Sequence, residues 1–522
     1  MFKKISPKII KQVILMMILN AIYSGFGILV LSFINKYLLS LKEKDYQILT
    51  IFFVLLIAFL LLSVLSRAAL CKIENDFVFD LRTKIIKQII DTKFEKIQNA
   101  SKANLLASLS SDISRLTDGF MRISELVQGG MIVIFSGIYI FYISPNMFIF
   151  LFFWIGFLMI FNHFLMKKMM QNFDIYRKNE DTLYKNYQAS IEGHKELSLN
   201  IQRAKSLYEN DFLPNALELR KTSLKAQIFQ AFSGNFVSVM MLGAVGVVLY
   251  YGLSSGAESL ANAVTIALTI LFLRAPLMML VFSFPSILRA KIAYKKIMDL
   301  DLDPFIAEFS DEKMKFWKKL TLKNVNFIYK NGKFGLKNVN LEINSGEIVF
   351  LVGKNGSGKS TLFMILAGLY EIQSGEIMVD DIKITNKNLA GYRANISAIF
   401  SDFYLFDRVI GDEEKAINLI KKMQLDGKVS IQNHKFSTIN LSSGQKKRLS
   451  MISILLENRK FIMLDEWAAD QDPVFRKEFY EEILSELKKQ GYTIFAISHD
   501  DKYFEYADKI YKMENGEIEQ IK

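Results

Sequence analysis

Up to about residue 288 the apolar residues fall in long unbroken runs; beyond it they fall in short ones. Six early runs, at about 13–39, 47–70, 126–144, 147–167, 233–254 and 262–288, are each long enough to cross a bilayer, which takes about 20 residues. They are rich in Phe, Ile and Leu, as lipid-facing helices should be. The first follows Lys3, Lys4 and Lys8. A secretory signal would start similarly, but with a shorter apolar core and a small-residue cleavage site. After residue 320 the pattern becomes that of strands. Val325-Asn326-Phe327 alternates, and Ile348–Val352, Phe461–Leu464 and Tyr492–Ile497 are the continuous apolar runs of strands buried on both faces. The pattern predicts an α-helical six-span transmembrane domain over 1–300, a charged linker over 301–319, and an α/β domain over 320–522.

The connections between the apolar runs differ in kind. Arg67 to Glu125 and Lys167 to Lys225 are long, helical in pattern and rich in Lys and Arg. Ser144-Pro145-Asn146 is a minimal uncharged turn, and Gly252 to Asn262 holds only Glu258. Lys36 to Asp45, with three lysines and two acids, is a mild exception. The cationic bias places both termini and the two long segments in the cytoplasm. Each long segment would be a helical hairpin reaching on the order of 35 Å from the bilayer for a ~25-residue extension. Asn99-Ala100-Ser101 and Glu192-Gly193-His194 are the expected tips. Arg274 interrupts the sixth run. A charge there costs about 2.5–3.5 kcal/mol on insertion scales, so it should face a cavity or a partner, with contact to cargo and structural pairing both open. Pro276 and Pro285 are expected to kink the same helix. His163, near one end of the fourth run, reads as a packing or interface residue.

Composition narrows the class. Hydrophobic residues make up 51% of 522, with 43 Phe against 7 Pro, which is unusual for a soluble chain. The net charge of +12 is scattered among acids and flanks the apolar runs, so it reads as membrane topology and argues against a nucleic-acid partner. Cys71 is the only cysteine, which excludes an intrachain disulfide. Four histidines with no second cysteine argue against structural zinc.

The candidate chemistry lies in the second half. Gly353-Lys354-Asn355-Gly356-Ser357-Gly358-Lys359-Ser360 matches the phosphate-loop pattern GxxxxGK[ST]. An apolar strand precedes it and a helix, Thr361 to Leu366, follows it, which is the context the motif requires. Glycines let backbone N–H groups point at phosphates, and the helix N-terminus favours negative charge. Lys359 would reach the outer phosphates and Ser360 would ligate Mg²⁺. The apolar strand before Asp465-Glu466 has the form of a Walker B element: Asp465 for Mg²⁺, Glu466 as general base for the attacking water. A further apolar strand ends in His499, positioned to contact the γ-phosphate and the water. Tyr329, in the alternating stretch before the phosphate loop, could stack on a base.

Leu441-Ser442-Ser443-Gly444-Gln445-Lys446-Lys447-Arg448 opens a helix, with Ser442 or Ser443 as its cap. It resembles the LSGGQ signature of the ATP-binding cassette (ABC) family. The motifs stand in the family's order over 320–522, and six spans precede them, as in an ABC exporter half-transporter. The resemblance implies ATP and Mg²⁺ as cofactors and a homodimer in the cytoplasmic (inner) membrane, with the ATP-binding domains in the cytoplasm. Two cassettes would pair head to tail, Ser442, Ser443, Gly444 and Gln445 of one completing the site formed by residues 353–361 of the other. It further implies that Tyr329 stacks on adenine, that Ala468-Ala469-Asp470 touches the opposite subunit, and that the hairpin tips dock on the cassettes.

Two departures stand out. Ser443 replaces a usual glycine, and Ser401-Asp402 stands where the family usually carries glutamine. Ser401 would reach Mg²⁺ through water, or Asp402 would substitute as a metal ligand. FSDFYLFD, LSSGQKKRLS and DEWAADQDPVFR are similar to bacterial exporters of cyclic peptides and siderophore precursors, including pyoverdine-precursor, syringomycin-type and microcin exporters. That resemblance implies export of a peptide-like or otherwise amphipathic cargo, with a possible outer-membrane exit partner. The alternatives are a flippase for lipid or lipid-linked oligosaccharide, and a ligand-sensing regulatory ATPase.

Overall fold

The computed structural model describes residues 7–522 except 40, 42, 101–104, 107, 254–256, 307, 310–311, 313, 330–331 and 333–334. Lys3, Lys4 and the tip residue Ser101 lie outside the described residues. The chain divides into two compact units. One comprises Met1–Ile90 and Ala100–Leu302, the other Asp91–Asn99 and Asp303–Lys522.

The first unit is helical. Helix α1 (Pro7–Phe33) widens into a π-helical turn, Ile34–Leu38, and α2 (Tyr46–Asp91) follows. The short α3 (Phe94–Asn99) belongs to the second unit. Then come α4 (Ile113–Ile143), α5 (Pro145–Glu192), α6 (His194–Leu199), α7 (Ile201–Ser206), α8 (Leu213–Leu253) and α9 (Ala257–Met298). Six helical stretches among the described residues are long and apolar enough to cross a membrane: Met17–Leu38, Tyr46–Asp91, Leu109–Ile143, Pro145–Phe173, Ile201–Leu253 and Leu260–Met298. Helix α5 begins where Ser144 accepts a hydrogen bond from the Met147 amide, with Pro145 in the first turn, where it has no amide bond to lose. It ends at Gly193, the expected second tip, and Asn200 caps the next short helix.

The interior of this unit lies among α4, α5, α8 and α9, around Ile132, Leu158, Val237, Ile270 and Leu277. Helices α4 and α9 approach closely through small residues, the packing that membrane helices favour. A Cβ on Gly119 would stand 2.2 Å from that of Ala290, and one on Gly129 would stand 2.9 Å from the Pro276 carbonyl. Helix α9 runs on through Pro276 and Pro285. Phe152, Phe153, Leu60 and Leu65 are exposed, as residues bathed in lipid would be. Arg274 and His163 are also exposed on the chain's surface.

The second unit has two main sheets. Strands β1 (Lys319–Ile328), β2 (Gly335–Asn344), β4 (Ser374–Val379) and β5 (Ile382–Lys383) form an antiparallel sheet in the order β2-β1-β4-β5. Strands β3 (Ile348–Gly353), β6 (Ile396–Ile399), β9 (Phe461–Asp465), β10 (Thr493–Ile497), β11 (Lys509–Glu514) and β12 (Glu517–Gln520) form the other, in the order β12-β11-β3-β10-β9-β6. All but β12 run parallel. Strands β7 (Ile431–Gln432) and β8 (Lys435–Phe436) make a small hairpin. Helix α10 (Lys359–Leu366) follows β3, α11 (Leu389–Arg393) and α12 (Glu413–Lys422) lie on either side of β6 in the chain, and α13 (Ser443–Leu456) precedes β9. Because β9 is apolar up to Asp465 and β10 is apolar after Thr493, both faces can be covered, and every residue of each is buried.

Helix α3 is held within this unit by aromatic and ionic contacts. Phe94 lies 6.2 Å from Tyr370, whose hydroxyl donates to Gln98. The Lys93 amide and the Lys96 ammonium each reach Asp303 at 2.9 Å, and the Lys93 ammonium pairs with Glu371 at 2.8 Å. The Lys93 amide holds the Asp303 carboxyl below its usual range, and the Lys93 ammonium does the same to Glu371.

Candidate functional site

In an open parallel sheet, ligands bind beyond the carboxyl ends of the strands. Here the register sets three such ends level: Ile497 of β10 pairs with Leu351 of β3 on one side and with Asp465 of β9 on the other. The phosphate loop, Glu466 and His499 all leave the sheet at that edge.

The loop can only be built with glycine at its first position. Gly353 has φ +150°, and a Cβ there would stand 2.3 Å from the Met513 carbonyl. Gly358 has φ +114° and hands the chain to α10. The Lys359 ammonium folds back over the loop, donating to the Gly353 carbonyl at 2.8 Å and the Lys354 carbonyl at 3.1 Å. Burial pulls its pKa down, against the nearby negative charges of Glu466 and Asp465. Lys354, Asn355, Gly356 and Ser360 are exposed. Thr361 is buried, its hydroxyl 3.0 Å from that of Tyr329. The Tyr329 ring stands edge-on to Tyr370, 5.9 Å away.

Burial raises the Asp465 pKa, and repulsion from Glu466 adds to it. The nearby Ser401 hydroxyl and amide, and the Lys359 charge, work the other way. Asp402 is exposed and lines a neighbouring cavity of about 450 Å³ with Ser401, Ser443, Lys447 and Asp470. His499 Nε2 lies 3.1 Å from Glu466 Oε1.

The signature turn opens α13. Ser442 is the cap: its hydroxyl accepts from the Gln445 amide, and the Gln445 side chain accepts from the Ser442 amide. Ser442 and Ser443 are exposed. Gly444 is packed so close to the turn after β9 that a Cβ would stand 2.7 Å from the Asp470 carbonyl.

These residues fit a triphosphate with its divalent cation. The Ser357 hydroxyl is buried in the loop with no partner, so an acceptor is missing there. Two adjacent acids, one buried, repel each other beside the Lys359 ammonium, and a cation would relieve that repulsion. Sequence reasoning missed Lys447, whose ammonium reaches the Glu466 carbonyl at 2.7 Å, and Arg476, which donates to the carbonyls of Ala469 and Gln471. The Lys-Lys-Arg string after Gln445 was the visible signal for the first; nothing marked the second.

Comparisons with known proteins agree with this geometry. Residues 9–280 match the ABC transporter transmembrane region and residues 336–469 match the ABC transporter family. The ATP-binding protein SyrD of Pseudomonas syringae pv. syringae is 31% identical over 468 residues, 84% of this chain and 81% of that one. The nisin transport ATP-binding protein NisT of Lactococcus lactis subsp. lactis is 31% identical over 220 residues, 38% of this chain and 36% of that one. The fold is similar to that of a bacterial Atm1-family ABC exporter with ATP bound, with a TM-score of 0.73 and 16% identity over 98% of this chain and 94% of the other. The chain therefore belongs to the ABC transporter family: a half-transporter, multi-pass in the cytoplasmic membrane, that couples ATP hydrolysis in a cytoplasmic domain to transport.

Proposed function

We propose that two copies of this chain pair head to tail around two ATP molecules and export a peptide-like cargo by alternating access. The observation that carries the reading is the gathering of Lys359, Asp465, Glu466 and His499 at one sheet edge, while the signature turn at Ser442 and Ser443 stays exposed. One chain holds one phosphate loop and one signature, so a head-to-tail pair of identical chains gives two equal sites. Peptide-type cargo is supported by the similarity to the nisin transport protein.

In this reading the loop N–H groups and Lys359 cradle the phosphates, and Tyr329 lies against adenine. Ser360 and Asp465 would hold Mg²⁺, which would supply positive charge against the phosphates. Glu466 takes the proton of the attacking water as its oxygen bonds to the γ-phosphorus. The bond from that phosphorus to the β–γ bridging oxygen breaks, leaving ADP and phosphate. His499 keeps the Glu466 carboxylate aimed at the water. Ser442, Gly444 and Gln445 of the second copy close the site from the opposite side.

The test is transport by purified protein in proteoliposomes with outward-facing cassettes. ATP should drive labelled cyclic or siderophore-like peptides into the lumen, and Glu466→Gln should stop it. Movement of labelled lipid instead would replace the reading with a flippase. Stimulated ATPase with no labelled compound moved would replace it with a sensor. Metabolite profiles inside and outside cells, with and without the protein, would then identify the cargo.

A further inference from the structure

Glu466 is held in an unusual conformation. It follows β9 with φ +48° and ψ +39°, a left-handed geometry that residues with side chains adopt at a cost. Something must hold it there. Its amide donates to the Ile497 carbonyl at 3.2 Å. Its carbonyl accepts from the Lys447 ammonium at 2.7 Å. Lys447 is 5% exposed, and its ammonium also pairs with Asp470 at 2.8 Å, at the end of the short helical turn Trp467–Asp470 that follows Glu466. A buried ammonium needs such acceptors, and here both come from the turn that carries Glu466. The backbone of Lys447 is tied to the same turn: its carbonyl accepts from Trp467 Nε1 at 2.8 Å. One turn earlier, Gln471 Nε2 donates to the Gly444 carbonyl at 3.2 Å.

We propose that Lys447 is a positioning residue for Glu466, through which the signature turn of α13 sets the hydrolytic competence of the ATP site in its own chain. The proposal rests on the assignment of Glu466 as base. In a head-to-tail pair the signature of one chain faces the nucleotide of the other. Lys447 therefore joins a chain's contact with its partner's nucleotide to the base at its own, giving the two sites a covalently short route of communication.

The test uses the full-length protein with Lys447→Met, which keeps length and loses the charge and donors, and Lys447→Arg, which keeps both. Lys447→Met should lower kcat for ATP about tenfold or more, the scale of a misplaced catalytic group. The KM and the equilibrium affinity for ATP should stay within about twofold, and Lys447→Arg should restore most of the rate. In a Glu466→Gln background, Lys447→Met should change the residual rate by less than about twofold, because the two residues act as one unit. An unchanged kcat, an equal loss in both backgrounds, or a loss of ATP affinity matching the loss of kcat would overturn the proposal. Should Lys447→Met fail to fold, Lys447→Gln, which keeps an N–H donor without the charge, carries the same cycle. Near-normal hydrolysis by Glu466→Gln alone would overturn the base assignment and this proposal together. An inactive Glu466→Gln beside a fully active Lys447→Met would overturn this proposal only.

Discussion

His499 Nε2 sits 3.1 Å from Glu466 Oε1, each residue lying just beyond the end of one of two adjacent parallel strands. Both side chains are partly exposed beyond the strand ends, while the strands behind them are buried. With Glu466 as base, Glu466→Gln should keep ATP binding and lower turnover by about 10²–10⁴-fold, the usual worth of general base catalysis. It should also trap the closed dimer. Phosphate release, nucleotide binding and cross-linking of the pair check the three parts, and near-normal hydrolysis would remove Glu466 from the role. His499→Ala should lower kcat while leaving ATP affinity unchanged.

The proposed function gives Tyr329 two separable roles. Its half-buried ring, edge-on to Phe327 and Tyr370, would take the base, and its hydroxyl meets Thr361 at 3.0 Å. Aromatic stacking on a base is worth about 1–3 kcal/mol, so Tyr329→Ala should raise KM for ATP about tenfold. Tyr329→Phe should leave KM nearly unchanged and cost stability by about 1 kcal/mol, the net worth of one hydrogen bond. Steady-state kinetics and thermal melts of both variants separate the two. Equal KM values for wild type and Tyr329→Ala would end the stacking assignment.

The residues that were legible in the sequence are those whose signal is local. Continuous apolar runs marked the six spans because a bilayer demands them of a single helix. The phosphate loop and Asp465-Glu466 were legible because strand, loop and helix follow one another in the chain. The sixth run was legible as one span, and α9 does run unbroken through Pro276 and Pro285. The membership of α3 in the second unit was not readable from periodicity, because Phe94 and Lys93 find Tyr370 and Glu371 from far along the chain. Lys447 carried no role of its own in the sequence; only the fold brings the Glu466 carbonyl and Asp470 around it.

The attachment of α3 should be acid-labile. Asp303 and Glu371 have pKa values below their ordinary 3.8 and 4.5, so the folded unit binds fewer protons than the unfolded chain in that range. Their contribution is fully present above the ordinary values and is lost as pH falls through the depressed ones. Asp303 should carry most of it, because the Glu371 pair is more exposed and screened by water. Hydrogen exchange over residues 93–99, corrected for its intrinsic pH dependence, should show protection falling as pH drops below 4.5. Asp303→Asn should lower protection at neutral pH and flatten that dependence. A segment equally protected at pH 7 and pH 3 would exclude these carboxylates as its fastening.

The position where the family usually carries glutamine can be assigned by comparing two neighbours. The Ser401 hydroxyl and amide lie near enough to the Asp465 carboxyl to favour its charged form, whereas Asp402 is exposed at a cavity alongside. A group that orients a metal ligand typically controls metal affinity or activity by about 10–100-fold. With Asp465 holding Mg²⁺, Ser401→Ala should therefore raise the Mg²⁺ concentration needed for half-maximal hydrolysis by about tenfold. It should leave the amide and the fold intact. Asp402→Ala should change the Mg²⁺ requirement by less than about threefold, since its carboxylate is not among the groups that favour the charged form of Asp465. Titrating Mg²⁺ at saturating ATP in the two variants decides between them. A large effect of Asp402→Ala with a silent Ser401→Ala would make Asp402 the metal ligand and leave Ser401 a bystander beside Asp465.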